Sequence, residues 1–314
     1  MTRKLLLDVD PGLDDALAIL MALGNDAVDV VGLTTVMGNT TVENTTWNAL
    51  ALLEWVDRTD VPVARGAGEP FADSLVMAEY VHGPGGMPES VREALPEPNT
   101  EPIKAHAVEF ILEQAREHGE DLTIAAVGPQ TNVALAMAIE PALPDTVADV
   151  YQMGGAMKTT GNVTPQASFN FYVDAASAAR VIERGSPKVV GLDVTEPAYL
   201  PTSVADGLRE GSDFQRVVAD VLDFKAQGPD STHGFDGSIV SDSVVLAGVL
   251  DDEVLGFEEA YVEVDTTGGP SNGATIYDEH GVLDREPNCE VALEVDVERC
   301  RDVVVDSINA AEDR

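Results

Sequence analysis

Cysteine is nearly absent: Cys289 and Cys300 are the only two in 314 residues, eleven positions apart, with no C-x-x-C spacing and no histidines placed as metal partners. That excludes a disulfide framework and reads both thiols as reduced and structural. Basic residues are scarce too. Lys and Arg total 18, only five of them Lys, against 56 Asp and Glu, for a formal net charge of -38 spread from end to end. Such a surface repels nucleic-acid phosphates and anionic membranes, so neither is expected as a partner. With 44% hydrophobic residues interleaved among the acids, the chain is not acidic disorder. We read the charge as adaptation to molar salt, where screening shortens to about 3 Å. It then describes the solvent of a halophile and says little about the substrate. Long apolar runs are missing as well: no stretch approaches the roughly 20 apolar residues of a membrane helix. Leu5-Leu6-Leu7 runs straight into aspartates, unlike the apolar core of a signal peptide. A soluble, cytoplasmic protein is expected. No internal repeat and no composition shift marks a linker, so residues 1–314 are read as one domain.

What the sequence does have is four carboxylates within eight residues: Asp8, Asp10, Asp14 and Asp15 in Asp8-Val9-Asp10-Pro11-Gly12-Leu13-Asp14-Asp15. An apolar run stopped by Pro-Gly and followed by the helical pattern of residues 16–23 reads as strand, turn, helix. The acids then sit at the carboxyl end of the first strand, the edge where open α/β sheets bind ligands. Such a density of negative charge needs a cation, and oxygen-only ligands favour Ca²⁺ or Mg²⁺. Asp14 alone could be a helix N-cap; four acids together are not explained that way. An EF-hand loop starting at Asp8 would want Gly at its sixth place and Glu at its twelfth, where Leu13 and Ile19 stand. A haloacid-dehalogenase-type phosphatase also opens with a strand and D-x-D, but with Gly-Thr or Gly-Val next, where this chain has Pro-Gly.

Strand-like and helical runs alternate through most of the chain, the signature of a mostly parallel sheet with helices on both faces, Rossmann-like in class. Strands are expected at 28–36, 61–64, 122–127, 147–153 and 188–192; helices at 42–56, 104–118, 130–139 and 175–184, the last capped by Asp174. Residues 82–102, rich in Gly and Pro, read as a loop. Four strand ends combine Gly with Asn, Asp or Thr: the Asp8–Asp15 run, Gly38-Asn39-Thr40-Thr41, Gly128-Pro129-Gln130-Thr131-Asn132 and Gly154-Gly155. One such glycine only serves its turn. Four at one edge argue for a polar pocket.

These motifs, with Val81-His82-Gly83, Gly161-Asn162-Val163-Thr164-Pro165, Phe169-Asn170, Gly191-Leu192-Asp193-Val194-Thr195 and Ser241-Asp242, resemble the inosine-uridine-preferring nucleoside hydrolases across nearly the whole chain. The resemblance implies a Ca²⁺-dependent N-ribohydrolase that splits a ribonucleoside into base and ribose and forms a homodimer or homotetramer. It implies Ca²⁺ on Asp10, Asp15, the carbonyl of Val127 and Asp242. It also implies a ribose held by Asp14, Asn170 and Asp242, oriented by Asn39 and Asn162 and flanked by Met153. Asp10 would take the proton of the attacking water.

Two positions depart from the family. Ser168 replaces a Glu that reads the ribose 5′-hydroxyl, and Ser241 replaces a His that protonates the leaving base. Loss of the Glu would remove a charge that repels a 5′-phosphate. Loss of the His leaves His233 and then His82 as candidate proton donors, set against a plain surface-loop role for His233, or else bases that leave with less help. The altered leaving-group end also keeps open a non-catalytic, metal-dependent nucleoside- or ribose-binding protein.

Overall fold

The computed structural model describes residues 2–228 and 235–312. Its frame is an eight-stranded sheet. Six strands come in the first part of the chain: β1 (Arg3–Val9), β2 (Val28–Thr35), β3 (Val63–Arg65), β4 (Leu122–Ala126), β5 (Asp149–Met153) and β6 (Lys188–Val190). They lie in the order β3-β2-β1-β4-β5-β6, all parallel. Cys289–Val295 adds parallel to β6, and Leu255–Ala260 closes the edge antiparallel.

Chain order reverses between β1 and β4, so a crevice opens beyond their carboxyl ends. The Asp8–Asp15 run follows β1, and Val127-Gly128 follows β4. The two loops are tied there by the amide of Val127 donating to the carbonyl of Asp8 at 2.9 Å.

Alternation along β1 sorts the core into two layers. Leu5, Leu7 and Val9 pack with helices α1 (Leu13–Gly24), α2 (Val42–Trp55) and Ser241–Leu250; Leu6 faces Ala107–His118 and Thr131–Ile139 on the other side. Both faces of the sheet are thus covered, as the continuous apolar runs of β1 and β4 require.

Several boundaries shift. The first helix starts at Leu13, with Gly12 as its N-cap, so Asp14 lies inside the first turn and does not cap. Asp15 does the capping work instead, its carboxylate accepting from the amide of Gly12 at 3.0 Å. Residues 82–102 are not one plain loop: Glu79–His82 and Glu89–Ala94 are short helices flanking a turn at Pro84–Gly86. The strand expected at 188–192 ends at Val190, and a one-turn helix, Leu192–Thr195, follows it. Among the described residues no helix is long and apolar enough to cross a membrane.

Candidate active site

The crevice at the switch point is a cleft of about 790 Å³, counted out to open solvent. Most of the residues singled out in the sequence meet on its walls: Asp10, Asp14, Asn39, His82, Val127, Met153, Asn162, Asn170, Ser241 and Asp242. Seven separated segments deliver them, and the carboxyl edge of the sheet brings them together.

Asp15 lies just beneath, fully buried, and organises the first loop. Its two carboxylate oxygens accept from the amides of Asp10 and Gly12, each at 3.0 Å. The Asn39 amide adds a third hydrogen bond to Asp15 at 2.9 Å and a fourth to the carbonyl of Asp10 at 3.1 Å. The Asp10 carboxylate in turn accepts from the backbone amide of Asn39 at 2.7 Å. Asn39 therefore holds two aspartates in place. Asp242 comes from the first turn of Ser241–Leu250.

Carboxylate oxygens of Asp14, Asp15 and Asp242 lie within 4.8 Å of one another. Such crowding is costly without a counter-charge. Burial first, and then Asp15, drive the Asp10 carboxyl well above its usual range; burial, Asp14 and Asp15 do the same to Asp242. Asp15 is pushed up to about 6 by burial and by Asp14. Three buried acids that resist ionising in each other's company are what a hard, oxygen-ligated cation relieves, so the donor set fits one. Asp10, Val127 and Asp242 line the cleft, but the three carboxylates gathered within 4.8 Å are Asp14, Asp15 and Asp242, with Asp14 in the place expected for Asp10. The Val127 carbonyl accepts from Asn170 Nδ2 at 2.5 Å, so these two expected site groups touch directly.

Asp14 behaves differently from its neighbours. Burial would raise it, but the ammonium of Lys225, with Nζ 3.1 Å from Oδ1, holds it below the usual carboxylate range. His82 lies 3.7 Å from the same oxygen yet is no cation, because burial and Lys225 push its imidazole down to about 3. Its Nδ1 is occupied as an acceptor from the amide of Leu13 at 3.1 Å. Lys225 is therefore the chief cause of the lowered Asp14, and the backbone amide of Asp14 adds to it.

Ser168 does not line the cleft. It is 1% exposed, and its hydroxyl accepts from the amide of Gly155 at 2.7 Å. The Ser241 hydroxyl donates to Thr195 at 3.2 Å. His233 lies outside the described residues. Residues that the sequence reading passed over also line the cleft, Lys225, Glu196, Tyr80 and Ile239, together with Phe169 of the Phe169-Asn170 pair. Phe169, next to Asn170, was within reach of the motif. Lys225 sits in a helix of ordinary amphipathic pattern with nothing local to mark it.

Fold and site together define a metal-dependent α/β enzyme built around a carboxylate-ringed cleft. Residues 5–302 match the inosine-uridine preferring nucleoside hydrolase family, and the chain belongs to that family: it is an enzyme that hydrolyses ribonucleosides to base and ribose. It is similar to the pyrimidine-specific ribonucleoside hydrolase RihA of Shigella boydii, 39% identical over 98% of this chain and 99% of the relative. A plant nucleoside hydrolase superposes with TM-score 0.91 at 28% identity, covering 98% of this chain and 99% of the other. The purine-preferring ribonucleoside hydrolase of Gardnerella vaginalis superposes equally well, TM-score 0.91 at 28% identity, covering 99% and 100%.

Proposed function

We propose that the enzyme cleaves pyrimidine ribonucleosides over a Ca²⁺ ion held by Asp10, Asp15, Asp242 and the carbonyl of Val127. The observation that carries this reading is the buried group Asp14, Asp15 and Asp242 beside a cleft that Asp10 and Val127 also line. When bound, the ion would supply a fixed positive charge that orients ribose hydroxyls and acidifies the attacking water.

The remaining chemistry belongs to the chain. Asp10 accepts the proton of the attacking water, and the backbone amide of Asn39 fixes one of its carboxylate oxygens. Asp14 and Asn170 hold ribose hydroxyls, and Asn162 shapes the rim by accepting from the amide of Phe169 at 2.9 Å. Breaking the N-glycosidic bond builds positive charge on the sugar ring, which the surrounding carboxylates stabilise. The pyrimidine preference is supported by the 39% identity with a pyrimidine-specific enzyme across nearly the whole chain, against 28% with a purine-preferring one.

The enzyme works in a reducing, salt-rich cytoplasm as a homodimer or homotetramer. Two free, buried cysteines and a net charge of -38 suit such a setting. Reducing-sugar assays with uridine, cytidine, inosine and adenosine at molar KCl, with Ca²⁺ or after chelation, test the reading. Ca²⁺-dependent ribose release from the pyrimidine nucleosides is expected; release from purine nucleosides alone would overturn the preference. Binding without release would return the chain to a non-catalytic role.

A further inference from the structure

Gly191-Leu192-Asp193-Val194-Thr195 turns the chain out of β6 into the one-turn helix Leu192–Thr195. Leu192 lines the cleft; Asp193 does not. Both oxygens of the Asp193 carboxylate are committed to backbone amides, Oδ2 accepting from Met157 at 2.8 Å and Oδ1 from Lys158 at 2.7 Å. Those amides belong to the stem of the loop that leaves β5. The amides just before them are held as well: Gly154 donates to the carbonyl of Val190 at 3.0 Å, Gly155 to the Ser168 hydroxyl at 2.7 Å and Ala156 to the Thr275 hydroxyl at 3.0 Å.

Beyond the stem the loop closes on itself. The amide of Gly161 donates to the carbonyl of Pro165 at 3.1 Å, that of Val163 to Ala167 at 3.3 Å and that of Phe169 to Asn162 Oδ1 at 2.9 Å. A loop closed in this way moves as a body, so the place of Asn162 on the cleft wall depends on what grips the stem. Val190, Ser168 and Thr275 offer neutral acceptors. Asp193 offers a carboxylate, and hydrogen bonds to an ionised acceptor are roughly twice as strong as neutral ones. A plain account makes Asp193 one stem acceptor among several. It leaves the placing of the residue unexplained, because the same turn also grips the opposite part of the site: the Thr195 hydroxyl accepts from Ser241, the neighbour of Asp242, at 3.2 Å. One turn of chain thus holds the loop that carries Asn162 and the helix that carries Asp242.

We infer that Asp193 is a positioning residue for the ribose: through the amides of Met157 and Lys158 it sets Asn162 at its working distance from the carboxylates across the cleft. This rests on the reading in which Asn162 orients the sugar. Asp193 itself touches neither the substrate nor the reacting atoms. Its effect on rate passes through the loop, where a misplacement near 1 Å can cost about 10²-fold.

The test is a double-mutant cycle on the whole enzyme, with kcat and KM measured well below each variant's Tm on whichever of uridine and inosine the wild type turns over faster. Asp193→Ala should lower kcat/KM by about 10- to 10²-fold, and Asp193→Asn, which keeps one acceptor oxygen, should lose less. In an Asn162→Ala background the same Asp193→Ala change should cost less than about threefold, because the group it positions is already gone. Equal losses in the two backgrounds would give Asp193 a role apart from Asn162 and overturn the inference, as would a lowered Tm with kcat/KM unchanged. If Asp193→Ala does not fold, Asp193→Asn carries the cycle and is judged by the same outcomes. Asn162→Ala alone matching wild type is a different result: the reading of Asn162 as a ribose contact fails, and the inference falls with it.

Discussion

Gly38 stands against the carboxylate of Asp10 so closely that a Cβ on the glycine would overlap Oδ2, while one on Gly128 would come within 2.6 Å of Oδ1. The proposed base is thus cradled between two glycines from two different strand ends. Neither position has a left-handed backbone, so alanine is refused by its neighbours, the carboxylate first and then Pro129 Cδ at 2.9 Å from a Cβ on Gly38 and Val36 Cγ1 at 2.9 Å from one on Gly128. Gly38→Ala should therefore displace Asp10, and a misplacement near 1 Å can cost about 10²-fold in rate. Steady-state ribose release alongside thermal unfolding checks this; a loss of kcat with the fold retained is expected.

The carboxylate cluster makes a second prediction, read by metal as well as by turnover. Ca²⁺ at about 100 times its dissociation constant should stabilise wild type by about 2.7 kcal/mol, seen as a raised Tm, and chelation should remove the gain. Asp10→Ala and Asp242→Ala should show neither the Tm gain nor ribose release. Near-wild-type turnover in either variant would remove the residue from the site.

Ser168 carries a third. The expectation that a serine here admits 5′-phosphates supposes a side chain facing the substrate, but the hydroxyl faces the amide of Gly155 at 2.7 Å. Ser168→Ala should leave that amide unpaired and cost about 1–3 kcal/mol in denaturant unfolding. Ser168→Glu should destabilise further, because nothing around a 1% exposed side chain makes room for a carboxylate. Cleavage of uridine 5′-monophosphate by wild type, abolished in Ser168→Glu without loss of stability, would contradict this placement.

Much of the fold was legible because parallel strands covered on both faces need continuous apolar runs, and 122–127 or 28–36 can hardly be read otherwise. The acid-rich loop after β1 was legible for the same reason: the strand ends where the aspartates begin. The rest hides in tertiary placement. Asp14 looks like a cap until the helix is seen to start one residue before it, at Leu13. Lys225, in a helix with charged and apolar residues at ordinary spacing, reads as a solvated cation, and only the packing of that helix near the cleft turns it inward. Ser168 matched a motif position whose side chain the fold aims elsewhere.

The two cysteines allow a prediction with a definite pH sign. Burial pushes both thiols up to about 12, so each is neutral in the folded enzyme across the physiological range. Because the folded pKa exceeds the unfolded one, these groups contribute stability that is complete below about pH 9 and is lost as pH rises toward 12. The thiolate is the reactive form. A thiol reagent at pH 8 should therefore find neither Cys289 nor Cys300 in native protein and both after denaturation. Stoichiometric labelling of the native enzyme would place at least one of them at an accessible surface.

The charge supplies the last test. A chain with net charge -38 repels itself at low salt, and the screening length falls from about 10 Å at 0.1 M to about 3 Å at 1 M. Relieving that repulsion favours the compact state, because the unfolded chain can already spread its charges apart. Tm should climb steadily with KCl from 0.1 M to molar concentration. Exclusion of salt from the surface is a separate effect, stronger for sulfate than for chloride, and comparing KCl with an uncharged osmolyte isolates the screening part. A Tm that is flat in KCl, or matched by the osmolyte alone, would mean that the acidic surface is incidental and that the enzyme belongs to an ordinary, low-salt setting.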